Sequence, residues 1–276
     1  MLAALGWLRQ PETMLLIALV TVIVSVCYYY VYLPWNAKRP ETPPANDTIS
    51  ISNEEKRWIV VGVCLNKILT PALRNVLATE LQKWYLALCR PPVKIDKQVC
   101  SRHEKKLPPS KFTLNYKNIN DNDKSHSAFD YKVKNSLSLA KLFVKPFMSK
   151  FTGFNETMDV SAVLTVIGEA APFAGAATHA KTVRDIRNDW AHCNFTNWTE
   201  LKFEDTFKSM EILLKNVNLS TEEKQKLCDE INEWKDKGLK LHVGQSVIDT
   251  EMLTLLCDQV DELCQAVETW TLGEEE

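Results

Sequence analysis

Arg187, Asn188 and His192 stand within one short run, Arg187-Asn188-Asp189-Trp190-Ala191-His192. An arginine is a permanent planar cation, and a histidine gains and loses its proton near neutrality. An asparagine both donates and accepts hydrogen bonds. Together these are residue types suited to acid–base work on an anionic group. Their spacing limits how they cooperate. On a straight helix the five steps from Arg187 to His192 leave the side chains about 140° apart. They share one site only if the helix ends or bends before His192, or if a second copy of the chain supplies the partner. Asn188 and His192, four apart, do share a face. Val183, Ile186 and Trp190 form an apolar stripe, with the polar residues expected off it. The polar run Cys193 to Thr199 predicts a helix end near His192.

Other chemistry finds little support. The sequence has no glycine-rich phosphate loop, no Ser-His-Asp order and no metal-spaced histidine cluster, so no cofactor and no metal are expected. His103, His126, His179 and His242 lack evident partners. Eight cysteines occur without a Cys-x-x-Cys pair, which disfavours a zinc or thioredoxin-like site. They read as buried free thiols or, in a lumenal domain, as disulfides.

The net charge of −2 hides an uneven distribution. Arg90 to Lys117 carries eight Lys/Arg against two acids, whereas Thr221 to Glu276 carries fifteen acids against five lysines. Lys94, Lys97, Arg102, Lys105, Lys106 and Lys111 offer a surface for RNA or an anionic membrane face, or form a merely solvated loop. Phe112 and Tyr116 alone would serve base stacking there.

The elements that must position these residues follow in chain order. Met14 to Leu33 is twenty residues without a charge, long enough to cross a bilayer as a helix. Tyrosines crowd one end of it, as in an interfacial belt. Residues 1–35 are therefore expected to carry one membrane anchor, at about 14–33. Lys38 and Arg39 behind it place the rest in the cytoplasm by the positive-inside rule. Five Asn-x-Ser/Thr sites, at Asn46, Asn155, Asn194, Asn197 and Asn218, become acceptors only in the opposite orientation. Residues 36–50, with Pro40, Pro43 and Pro44, read as a linker.

Residues 51–276 read as one all-α bundle. A helix starts near Ser52, and Pro71 opens a second, running to about Cys89. Arg90 to Asn135 shows no sustained period and is expected to be a long basic loop, in part disordered. Further helices are expected over Ser136 to Met148, Val160 to Ala170, Ala177 to His192 and Thr199 to Asn216. In the last of these Leu201, Phe203, Phe207, Met210 and Leu213 should face inward. Thr221 opens another helix, ended before Gly238, and an acidic amphipathic helix over Thr250 to Thr269 closes the chain. Leu239 to Val243 is the one tempting strand.

The Arg187-to-His192 run resembles the Arg-x4-6-His motif of the HEPN superfamily of helical domains, including its frequent Asn after the Arg. The layout also resembles one uncharacterised vertebrate HEPN-bearing family. The pieces that carry this are Arg57-Trp58 through Gly62-x-Cys64-Leu65, Ala72-Leu73 to Leu88, Ala140 to Met148, Asp159 to Ile167 and Val183 to Leu214. The similarity spans roughly Glu54 to Asp236 and is patchy in the basic loop.

The resemblance implies two functions. Many HEPN domains are metal-independent ribonucleases in which two copies meet. In that reading Arg187 holds a phosphate, His192 exchanges a proton with a ribose or leaving oxygen, and Asn188 orients one of them. Other members are non-catalytic binding modules. The expectation here is a membrane-anchored interaction module, self-associating or RNA-associated, with an unidentified protein partner; the ribonuclease is the alternative. Asp185 and Asp189 disfavour an RNA phosphate. In a homodimer they would face the partner copy's arginines.

Overall fold

The computed structural model describes residues 52–122 and 129–238, and all of them but Ser52 belong to one compact unit, Asn53–Leu239. The expected membrane anchor, the linker, the strand at Leu239 to Val243, the acidic C-terminal helix, His126 and His242 all lie outside the described residues. Among those described, the architecture is helical. The only β pairing is an isolated antiparallel bridge between Val99 and Arg102.

The first element is one long helix instead of two. Helix α1 (Asn53–Val63) runs through a π turn (Cys64–Leu69) directly into α2 (Thr70–Leu88). Pro71 explains the widened turn. A proline has no N–H to donate, and its ring collides with the carbonyl four residues back. The preceding Thr70 N–H reaches to the Leu65 carbonyl, a five-residue span, and Thr70 Oγ1 donates to the same oxygen at 2.6 Å. The proline is absorbed by a local π turn, so the expected helix start at Pro71 is corrected to a continuation. By length and composition Asn53–Leu88 could cross a membrane, but most of its apolar window is buried within the fold. It is the environment of a core helix: Val60, Val61, Cys64, Leu65, Leu69, Leu73, Leu77 and Leu81 are shielded from solvent by the other elements.

The segment after α2 is a loop, as expected, with only short 3₁₀ turns, but its described residues are packed and not disordered. Ile95, Leu107, Leu114, Tyr116, Ile119, Phe129, Tyr131 and Val133 are buried in the common core. Their spacing follows no helical or strand period, so periodicity could not reveal them. Tyr116 donates to Gln98 Oε1 at 2.6 Å or to the Glu104 carbonyl at 2.8 Å, tying the segment to itself. Tyr85 Oη, on α2, donates to the Lys134 carbonyl at 2.9 Å.

Four short or medium helices follow, three with a side-chain cap. Asn135 caps α3 (Ser136–Lys141), shorter than expected because a separate 3₁₀ turn takes Pro146–Met148. Asp159 caps α4 (Val160–Glu169) through Ala162 N–H at 2.7 Å. Helix α4 is buried on every side from Val160 to Gly168 and is the central rod of the bundle. It packs most extensively on α5 (Ala177–Ala191). Thr199 caps α6 (Glu200–Asn216), which buries Phe203, Phe207, Met210 and Leu213 as expected. Leu201 is the exception, 71% exposed. It sits two residues from Phe203, about 200° around the helix, and so faces outward.

Helix α7 (Thr221–Gly238) begins with a reciprocal cap. Glu223 N–H donates to Ser220 Oγ at 3.1 Å, and Ser220 N–H donates to Glu223 Oε2 at 2.9 Å. The Ser220 backbone N–H, with a smaller contribution from the Ser220 hydroxyl, holds the Glu223 carboxyl below its ordinary range. The helix continues through Gly238, where a stop was expected. Gly238 is buried, and a β-carbon there would run into Val60 of α1.

Candidate functional site

Helix α5 ends at Ala191 with His192 as its C-terminal cap, as the sequence predicts. His192 N–H donates to the Asn188 carbonyl at 3.2 Å. Cys193 then adopts φ 52°, the left-handed conformation that ends many helices.

This end of α5 is held by two tryptophans 132 residues apart. Trp58 Nε1 of α1 donates to the Trp190 carbonyl at 2.8 Å, and Trp190 Nε1 donates to the Trp58 carbonyl at 3.0 Å. The rings stack with centroids 5.1 Å apart and planes 14° from parallel. Phe195 closes the edge of Trp58. Gly62, one turn after Trp58, makes room: a β-carbon there would come within 2.6 Å of the Trp190 ring. Nearby, Arg57 donates to the Trp198 carbonyl at 3.2 Å, and Trp198 is completely buried.

Within that frame the three motif residues part company. Ala180, Val183 and Ala191 are the buried residues of α5. Arg187, four residues from Val183 and four from Ala191, lies in that same stripe. Arg187, partly buried, departs from the expectation that the polar residues lie off the buried face, whereas Asp185, Asn188 and Asp189 are exposed as expected. The Arg187 Nε is inaccessible to solvent and has no hydrogen-bond partner among the described residues. Asn188 and His192 are exposed. Ile186 and Trp190, expected as the apolar stripe with Val183, pack against the core but are only partly buried.

The acidic neighbours also differ from expectation. Asp189 pairs within the same chain, accepting from Lys202 Nζ of α6 at 2.8 Å. Lys202 also lies over the Trp198 ring at 4.9 Å. Asp189 is thus already engaged before any second copy approaches. Asp185 is exposed.

The structure does not bring the basic segment to Arg187. Lys94, Lys97, Arg102, Lys105, Lys106 and Lys111 are all exposed. They alternate with the buried anchors Ile95 and Leu107, so the chain is fixed while the cationic heads stay in water. His103 stacks on Tyr131 with centroids 4.0 Å apart and approaches the Cys100 carbonyl at 3.0 Å through Nδ1. It therefore has partners that the sequence did not reveal.

All five described cysteines are free. Cys64 and Cys228 are buried, as expected of core thiols, whereas Cys100 is exposed. Burial, with a smaller contribution from Glu230, pushes the Cys64 thiol far above its ordinary value. No group of three or more His, Cys, Asp or Glu side chains among the described residues could hold a metal ion.

The tryptophan pair and Gly62 were missed at the sequence level. The usable signal was Gly62 inside a helix, where glycine costs about 1 kcal/mol relative to alanine and so implies a close neighbour. Comparison with protein-family models, curated proteins and solved structures finds no match to this chain.

Proposed function

We propose that this chain is a membrane-anchored, HEPN-like interaction module that does not cleave RNA as a single copy. One observation carries the reading. Arg187 occupies the buried stripe of α5 with its Nε enclosed, while His192 is an exposed helix cap. A ribonuclease site needs both side chains to converge on one phosphate. A binding module needs only that α5 be held rigidly and its outer face be presented. The paired tryptophans support the first requirement, and the exposed Asn188 and His192 support the second. Leu201, 71% exposed, adds an apolar contact beside Lys202, which joins α6 to the end of α5.

The membrane anchor is the twenty-residue uncharged run at Met14 to Leu33, and Lys38 with Arg39 argues for a cytoplasmic domain. The anchor confines copies to a plane and raises their effective concentration. The partner is a second copy or another protein, and the exposed lysines of the 94–111 segment give RNA a secondary route of association.

A composite ribonuclease is the second reading, favoured by one observation: Arg187 Nε has no acceptor among the described residues. In that reading a second copy supplies the missing half. The full-length chain in detergent decides between the two when it is incubated with varied RNAs without metal. Intact RNA, with self-association or partner capture retained in His192→Ala, supports the module. Cleavage abolished by both Arg187→Ala and His192→Ala establishes the nuclease instead.

A further inference from the structure

A polar cavity of about 260 Å³ lies away from α5, between the 3₁₀ turn Tyr116–Asn118 and helix α3. Lys117 and Lys141 reach it from opposite elements, and Asn120, Asp121, Ser138 and Ser149 also line it. Its two walls are fixed to each other. Asn118 Nδ2 donates to the Lys141 carbonyl at 2.7 Å and the Val144 carbonyl at 2.8 Å, and Asn115 N–H donates to the Leu142 carbonyl at 2.9 Å. Asn120 Nδ2 is held by the Lys132 carbonyl at 2.7 Å and the Asp130 carbonyl at 2.9 Å. The cavity is built by core-anchored backbone, since Tyr116, Ile119, Leu139 and Leu142 are all buried.

Its charge is not balanced from within. Two ammonium groups face one carboxylate, Asp121, among the lining residues. Lys141 is half-buried, and no ion pair engages it among the described residues. Its Nζ lies 5.5 Å from the centre of the Phe151 ring. Burial pulls its ammonium below the ordinary lysine range, and Asp121 only partly opposes this. A lysine kept half-desolvated without a directly paired carboxylate gains most from an anion that enters the cavity. The Ser138 hydroxyl and the oxygen of the Asn120 amide, whose Nδ2 is committed to the two carbonyls, suit a ligand that also carries hydroxyl groups. The volume lies just below the roughly 300 Å³ where drug-sized sites begin, which suits a phosphate on a short polyol.

We propose that this cavity binds the phosphate of a small hydroxylated phosphomonoester, with Lys117 and Lys141 as its cations. The same chemistry is offered by a free phosphomonoester and by a lipid headgroup. An exposed residue two positions before the lining Ser149 separates the two. Phe147, 58% exposed in the turn before Ser149, is flanked by the exposed Lys145 and Lys150. A lipid would place its acyl chain against Phe147, whereas a free phosphomonoester would leave that ring idle. The site is independent of the Arg187 motif.

The test uses the full-length chain in neutral-detergent micelles, titrated calorimetrically with glycerol phosphate and with lysophosphatidic acid, the same headgroup bearing one acyl chain. Lys141→Gln and Lys117→Gln should each weaken binding about tenfold, the worth of one charge-assisted hydrogen bond. Lys208→Gln, on α6, should leave it unchanged. Tighter binding of the acylated probe, with only that gain lost in Phe147→Asp, identifies a lipid. Equal binding of both probes identifies a free phosphomonoester. Thermal unfolding checks that Lys141→Gln still folds, and the exposed Lys117 decides the matter if it does not. Absence of binding by either probe, glycerol binding as well as its phosphate, or equal weakening by Lys208→Gln overturns the proposal.

Discussion

Trp58 and Trp190 each donate an indole N–H to the other's backbone carbonyl while their rings stack, so one contact fixes both position and rotation of α5 against α1. Such a stacked pair is worth about 0.5–1.5 kcal/mol beyond its buried area. Losing either ring also removes that area and one bond to the other's carbonyl.

Trp190→Ala should therefore destabilise the domain by about 3 kcal/mol, read from urea unfolding. Gly62→Ala should cost about 1–3 kcal/mol because its methyl meets the Trp190 ring. In the double variant the two costs should fall short of additivity, since the alanine at 62 no longer finds an indole. Additive costs would mean that the close approach at Gly62 is not what constrains the pair.

Arg187→Met should leave stability unchanged or raise it by up to about 1 kcal/mol, because the enclosed Nε has no partner to lose among the described residues. His192→Ala, at an exposed cap, should shift stability by less than about 0.5 kcal/mol. Strong destabilisation by Arg187→Met would reveal an acceptor for the guanidinium and remove the basis for treating it as a packing residue.

Stability should fall as pH rises above about 9. The Cys64 thiol, ordinarily near 9.0, is pushed far upward by burial, and Tyr85 is pushed up to about 12, also chiefly by burial. Between the unfolded and folded values the unfolded chain holds fewer protons, so deprotonation pulls towards unfolding. The urea midpoint should drop between pH 8.5 and pH 10.5, with a shallower drop in Cys64→Ala. An equal drop in that variant would shift the cause to the tyrosines.

Thiol labelling gives an independent check at neutral pH. Cys100 should alkylate rapidly in the native protein, and Cys64 and Cys228 only after denaturation. Rapid native labelling of Cys64 would indicate that the long helix opens at its π turn.

Orientation can be read from mass. Asn155 and Asn194 are exposed sequon residues, so nothing in the packing would shield them from a lumenal glycosyltransferase. With a cytoplasmic domain, endoglycosidase should leave the mass unchanged, and deletion of residues 1–35 should release the chain from carbonate-washed membranes. A mass loss on endoglycosidase treatment would reverse the orientation.

Much of the fold was legible because local rules suffice for it. Asp159 and Thr199 announce helix starts by capping chemistry, and the stripe Phe203-Phe207-Met210 announces a buried face. The sequence misled where distant packing decides. Pro71 reads locally as a helix start, yet α1 and α2 are both held in the core and the helix bends its hydrogen bonding instead. Leu201 reads as inward by type but lies across the helix from Phe203. At the candidate site, the helix end at His192 was visible in the polar run after it. The placement of Arg187 was not, because a lone cation in a stripe is indistinguishable from a surface residue until its neighbours are known.

The π turn at Cys64–Leu69 carries one residue more than an α-helix of the same path would need. It therefore decouples the numbering of the two halves: side chains before it are indexed to α7 and the tryptophan pair, and those after it to α3 and α4. Elsewhere in these 36 residues a single deletion would rotate one half by about 100° and scramble every contact on that side. Within the π turn the same deletion is absorbed by a return to ordinary helix once Pro71, whose ring requires the widened turn, is also replaced. The extra residue and Pro71 are thus a linked pair: the chain keeps its register only if it loses both together.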